Sequence, residues 1–191
     1  MPRVLTAAAL FLAVLLAACT GSTRAGGPAP GAAPSATTTA ASGSSASGAG
    51  AGPSTTGATT TARTWSSAPK VRTRQVAPAP TLVDVRLAHH DTYDRIVFEF
   101  RGDAPGYRVE YVPEVHEDAT GDPVHLRGNA FLNVVLTPAS MHDPQGASTY
   151  PGRKVLTAML PTLRQARFAG DFEGQVSWGL GLDDTVGFKV G

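Results

Sequence analysis

Asp94-Arg95-Ile96-Val97-Phe98-Glu99-Phe100 is the stretch that decides the fold class. Ile96, Phe98 and Phe100 alternate with Arg95, Val97 and Glu99. Side chains in an extended chain point to opposite faces with period two, so this run reads as a strand with one buried face. The same period recurs on both sides of it. Val83, Val85 and Leu87 alternate with Asp84, Arg86 and Ala88, and Tyr107, Val109 and Tyr111 with Arg108 and Glu110. Val124 and Leu126 alternate with His125 and Arg127, and Leu132, Val134 and Leu136 with Phe131, Asn133 and Val135. Val176, Trp178, Leu180 and Leu182 alternate with Ser177, Gly179 and Gly181, and Phe188 with Val190 suggests a last strand. Turn residues separate the runs: His90-Asp91-Thr92, Gly102 to Gly106, Thr120 to Pro123, Gly170-Asp171 and Asp183-Asp184. No long amphipathic helix is visible. Leu163 to Ala169 reads equally as a strand or a helical turn. The expectation is an all-β domain over 81–191, a small β-sandwich or partly closed barrel of about seven or eight short strands.

Between Leu136 and Leu163 the pattern stops. This long segment carries Pro138, Pro144, Pro151 and Pro161, together with Met141, His142, Asp143, Tyr150, Arg153 and Lys154. Loops beyond about 12–15 residues are uncommon and often functional. Val155 to Met159 reads as a short strand or helix inside it.

The chain upstream differs in kind. Thr20 to Pro80 is mostly Gly, Ala, Pro, Ser and Thr with almost no large apolar residue, and Trp65 is its one aromatic residue. Such a composition buries too little apolar surface to offset the entropy of ordering it, so 19–80 reads as a disordered tether. About 60 residues of flexible coil reach roughly 40–45 Å. Charge divides the chain at the same place. Before residue 81 there are six Lys/Arg and no Asp/Glu; after residue 80 there are ten Lys/Arg and fifteen Asp/Glu, a net of −5. An acidic domain disfavours nucleic acid as a partner.

Residues 1–18 read as a lipoprotein signal peptide. Val4 to Ala18 is apolar apart from Thr6 and ends at Leu16-Ala17-Ala18-Cys19. The run is shorter than the roughly 20 residues a membrane-spanning helix needs. It has the length of a signal-peptide core with small residues before the cut. Leu16-Ala17-Ala18-Cys19 resembles the bacterial lipobox, with cleavage between Ala18 and Cys19 and lipid on the Cys19 sulfur. Cys19 is the only cysteine, so no intrachain disulfide forms and the thiol is free for that role. The expected location is the outer face of a bacterial cell membrane, with the lipid on Cys19 as anchor.

Chemistry-bearing signatures are absent. There is no phosphate-binding glycine loop, no HExxH, no GxSxG and no paired-cysteine metal motif. His116, Asp118, Asp122 and His125 are ligand-type residues at a spacing that fits no known metal loop. Ser140, His142 and Asp143 share one loop, which cannot set up a three-residue relay unaided. No catalytic residue, cofactor or metal is expected.

A resemblance adds a family. Asp94 to Phe100, the strand Pro105-Gly106-Tyr107-Arg108-Val109-Glu110-Tyr111-Val112, and the turn Gly170-Asp171-Phe172-Glu173-Gly174 leading to Trp178-Gly179-Leu180-Gly181 resemble the AMIN-like domain of actinobacterial lipoproteins and secreted proteins. The resemblance covers about residues 80–191. It implies an all-β, non-catalytic envelope module similar to AMIN domains, which bring amidases and secretin-type proteins to the cell wall by binding peptidoglycan. The expected ligand is therefore peptidoglycan, or else an envelope protein that the domain helps to assemble. The residues to examine are Arg95, Glu99 and Arg108 on outward strand faces, and Tyr150, Arg153 and Lys154 in the long loop. A guanidinium pairs with stem-peptide carboxylates, and a tyrosine ring stacks on a sugar face.

Overall fold

The computed structural model describes residues 9–17 and 65–191. Ala18, Cys19 and most of the tether lie outside the described residues. The described chain is all-β, with ten strands in two sheets: β1 (Ala9–Ala17), β2 (Lys70–Arg72), β3 (Thr81–His90), β4 (Tyr93–Arg101), β5 (Gly106–Val112), β6 (Ala130–Thr137), β7 (Val155–Thr157), β8 (Leu163–Phe172), β9 (Gln175–Leu182) and β10 (Phe188–Val190). A four-stranded sheet has the order β10-β1-β4-β3, and a six-stranded sheet the order β2-β5-β6-β9-β8-β7. The arrangement is a sandwich of two open sheets rather than a closed barrel. Eight of the strands fall within 81–191, as expected.

Two strands fall outside that interval, one in the stretch read as a tether and one in the run read as a signal peptide. The stretch read as a tether to Pro80 contributes β2, which pairs with β5, and Ser66, which bridges Phe188 of β10. The apolar run read as a signal peptide contributes β1, between β4 and β10 and antiparallel to both. A strand and a signal-peptide core ask for the same composition. Here Val14 and Leu16 fall on the inward face and are fully buried.

The sheets meet at Trp178. Phe98 of β4, Tyr150 of the long loop and Phe168 of β8 approach its ring edge-on, with centroids 6.0, 5.8 and 5.9 Å away. Leu132, Val134, Leu136, Val176, Leu180 and Leu182 line the six-stranded side, and Ile96, Phe98 and Phe100 the four-stranded side, all at 0% exposure.

Bulges correct the simple alternation. Pairing between β3 and β4 shifts between Leu82 and Asp84, so an extra residue sits on β3. Leu82 and Val85 both turn inward, and Val83, read as a core position, is only half-buried. Strand β8 has two such shifts, at Leu163/Gln165 and Phe168/Gly170, which is why its sequence looked ambiguous. Val124 to Arg127 forms no strand. It crosses the outer face of β9, where Val115, Val124 and Ala169 make a second small apolar cluster. That crossing needs Gly181, because a Cβ there would lie 1.9 Å from the Arg127 carbonyl oxygen.

A polar clamp joins the sheets at one end. Asp94, at 0% exposure, is the only carboxylate buried among the described residues. Its Oδ2 accepts the backbone N–H groups of Thr162 (2.7 Å) and Leu163 (2.8 Å), and its Oδ1 lies 2.6 Å from His89 Nδ1. The start of β4 thus satisfies the start of β8.

Replacing Trp178 by Ala should cost about 3–5 kcal/mol in urea unfolding, and Trp178→Phe clearly less, because the ring fills the centre of the core. Asp94→Ala should cost about 2–4 kcal/mol, as two buried N–H groups lose their acceptor. Asp94→Asn should cost less than Asp94→Ala, since one amide oxygen still accepts; equal losses would show that the two N–H groups do not depend on Asp94.

Candidate functional site

The long loop does not form a groove. Ala139, Met141 and Tyr150 are buried in the main core. Leu82 donates its N–H to Ser140 O (2.8 Å), Ser140 donates to Pro80 O (3.1 Å), and the Thr149 hydroxyl donates to Leu82 O (2.8 Å). Met141 donates its N–H to Asp171 Oδ2 (2.8 Å). The loop therefore closes the sandwich against β3 and β8.

This changes the standing of the loop residues. Tyr150, expected as an exposed stacking ring, is 5% exposed and packed on Trp178. Its hydroxyl donates to the Arg153 carbonyl (3.0 Å), and burial raises its pKa, with the charge of Asp84 adding to the effect. The apolar ring is worth more in the core than in water, so this residue is not available to a glycan. Arg153 is exposed, and the Lys154 Nζ sits 4.7 Å from the Phe168 ring centroid. Ser140 uses its hydroxyl on the backbone of His142, while His142 Nδ1 lies 2.6 Å from Asp171 Oδ2. Asp143 accepts the N–H groups of Gln145 and Ala147. The three residues make a pinned turn and no relay. His116 Nδ1 lies 3.0 Å from the Gly121 carbonyl oxygen. Among the described residues no three His, Cys, Asp or Glu side chains converge as a metal set.

The strand residues separate into two places. Arg108 stands on the outer face of β5, where it is exposed and clamped to Glu110 through Nε (2.7 Å) and Nη2 (3.0 Å). That pairing raises its pKa. Arg95 and Glu99 stand instead on the outer face of the four-stranded sheet, and Arg95 lines a shallow concavity of about 340 Å³ together with Arg86, Leu87, Ala88, His90 and Val97. Pairing fixes most of this set: Ala88 lies opposite Arg95, Arg86 opposite Val97, and His90 opposite Tyr93, so these share one face, while Leu87 lies opposite the inward Ile96. Arg86 bridges Glu99 (2.9 Å) and Asp84 (3.4 Å). Arg95 differs, because its Nε is buried and makes no hydrogen bond among the described residues. Among the described residues Arg95 has no ion-pair partner, so it is the guanidinium on this face with its charge left for an incoming carboxylate.

An aromatic strip borders the concavity. His90 stacks on Tyr93 with centroids 4.7 Å apart and an interplanar angle of 23°. Trp65 lies 6.1 Å from Tyr93 and carries the Lys189 Nζ 4.6 Å from its ring centre. Trp65 is 39% exposed. Sequence reasoning missed His90, Tyr93 and Trp65 as a group. The one signal was Trp65 itself, a lone aromatic in a stretch otherwise without large side chains. The strip and the two arginines together present ring faces and cations on one side of a rigid sheet, which suits a ligand with sugar rings and carboxylates.

Comparison with known proteins returns one family. Residues 80–191, more than half of the chain, match the AMIN-like domain. No curated protein and no solved structure matches the chain. The family is associated with peptidoglycan-binding proteins of the cell envelope, and it is a binding-domain family rather than a known catalytic one. With its β-only architecture and the matched span covering β3 to β10, the chain belongs to the AMIN-like domain family.

Proposed function

We propose that this chain is a non-catalytic lipoprotein of the cell envelope, anchored through Cys19, whose domain binds peptidoglycan on the outer face of the four-stranded sheet. The observation that carries the reading is the outward set on β3 and β4, where Arg86 and Arg95 line a concavity bordered by the stacked His90 and Tyr93 and by Trp65, all of them residues that remain after cleavage before Cys19. Arg95 takes a stem-peptide carboxylate, and Arg86 offers a second cation, already shared with Glu99. The aromatic strip takes the apolar face of a sugar ring. The lipobox sequence before Cys19 supports the anchor, and the linker supplies the reach from membrane to wall. The family's association with the envelope supports both.

Two experiments test these halves separately. Arg95→Ala and Trp65→Ala should each weaken co-sedimentation of the purified domain with isolated cell walls by roughly tenfold, about 1.4 kcal/mol, while Arg108→Ala leaves it unchanged. Equal loss in all three, or no retention of the parent domain, sinks the peptidoglycan site. Cys19→Ser should abolish incorporation of radiolabelled palmitate and release the chain from membranes. A Cys19→Ser protein still held at the membrane would refute the anchor.

A further inference from the structure

Strand β1 occupies a place that cleavage before Cys19 would empty. It pairs with β4 at nine positions, from Ala9 opposite Arg101 to Ala17 opposite Tyr93. On its other edge it pairs with β10, at Val14/Val190, Leu15/Lys189 and Leu16/Phe188. Strands β4 and β10 run parallel to each other and, within the sheet, are joined through β1. Neighbouring strands stand about 4.8 Å apart, so removing β1 leaves a gap near 10 Å, too wide for β4 and β10 to bond directly. It also uncovers the core around Ile96, Phe98, Phe188 and Val190, against which Val14 and Leu16 pack.

We infer that the processed chain presents an open strand position between β4 and β10, and that an extended apolar segment of another envelope protein fills it, antiparallel to both. This rests on the reading that the chain is cut before Cys19. The remaining chain has nothing to fill the gap. The far edge of β4 belongs to β3, and the far side of β10 is bridged by Ser66. Residues 19–64 contain no Val, Leu, Ile, Met, Phe, Tyr or Trp, so they cannot supply the inward side chains. A second processed copy has the same deficit. An unpaired edge backed by an apolar core is a template for strand addition, with main-chain bonds giving affinity and alternate pockets giving specificity. Strand β1 displays the chemistry required of the donor: large aliphatic side chains at the positions of Val14 and Leu16, and small residues at Ala13 and Ala17.

The test uses the full chain extracted from the membranes of a producing cell. Intact mass first reports whether residues 1–18 are gone. A lysine-flanked peptide of the Ala9–Ala17 sequence is then added, alongside a control carrying Val14→Asp and Leu16→Asp. Saturable binding of the parent peptide, a Tm that rises with the logarithm of peptide concentration, and slowing of amide exchange over 94–101 by about tenfold or more support the inference, provided the control does none of these. A chain of processed mass that ignores the peptide, with 94–101 amides already slow, overturns the open position and leaves the processing reading intact. A mass that retains residues 1–18 overturns both, because the strand is then the chain's own.

Discussion

Strand β4 has to be hydrogen-bonded along both edges. Its inward residues Ile96, Phe98 and Phe100 are fully buried, and Val97 on its outer face is 8% exposed. Water cannot reach that backbone well enough to satisfy it, and an orphaned buried peptide group costs as much as a lost hydrogen bond. Strand β3 provides one edge through the whole length of β4, with a bulge to absorb a mismatch. Strand β1 provides the other. The sheet order β10-β1-β4-β3 follows from that need, and β10 joins this sheet only because β1 is there to receive it.

The same strand organises the rest of the molecule. Its first buried polar residue, Asp94, reaches across to the start of β8, and its central ring, Phe98, meets Trp178 of the opposite sheet. One end of the sandwich is therefore tied by charge-assisted bonds and the middle by aromatic edges. The long loop seals a further side with Met141 and Tyr150 and is pinned to β3 and to Asp171. With the interior closed, the residues of β4 left for a ligand are outward ones, Tyr93, Arg95 and Glu99 among them. The candidate site is the reverse side of the strand that builds the core.

That arrangement explains why the candidate residues divide as they do. Arg108, like Arg95, is an arginine on the outward face of an alternating strand. Two positions along β5 it finds Glu110 on the same face and is neutralised by it. Arg95 has Val97 at the corresponding position, so its guanidinium is left unmatched there. Tyr150 sits in a proline-rich loop, which suggested exposure, yet the loop folds inward. The chain gains more by burying an aromatic ring against Trp178 than by leaving it in water.

The sequence by itself determined the all-β class, the faces of β4, β5, β6 and β9, and the boundary of composition and charge near residue 80. These are properties of period two and of local composition, which each segment carries without its neighbours. Only the tertiary structure decided where the period breaks, because the bulges of β3 and β8 arise from fitting one strand to another; read alone, the pattern puts Val83 on the wrong face and leaves Leu163 to Ala169 ambiguous. It also decided that Trp65, His90 and Tyr93 share a surface with Arg86 and Arg95, since those residues lie on separate elements and meet only when the strands pair. Finally, it gave the run Ala9–Ala17 a second meaning. An apolar segment of that length serves equally as a signal-peptide core or as a strand, and which use it finds depends on the unpaired edge waiting for it on β4.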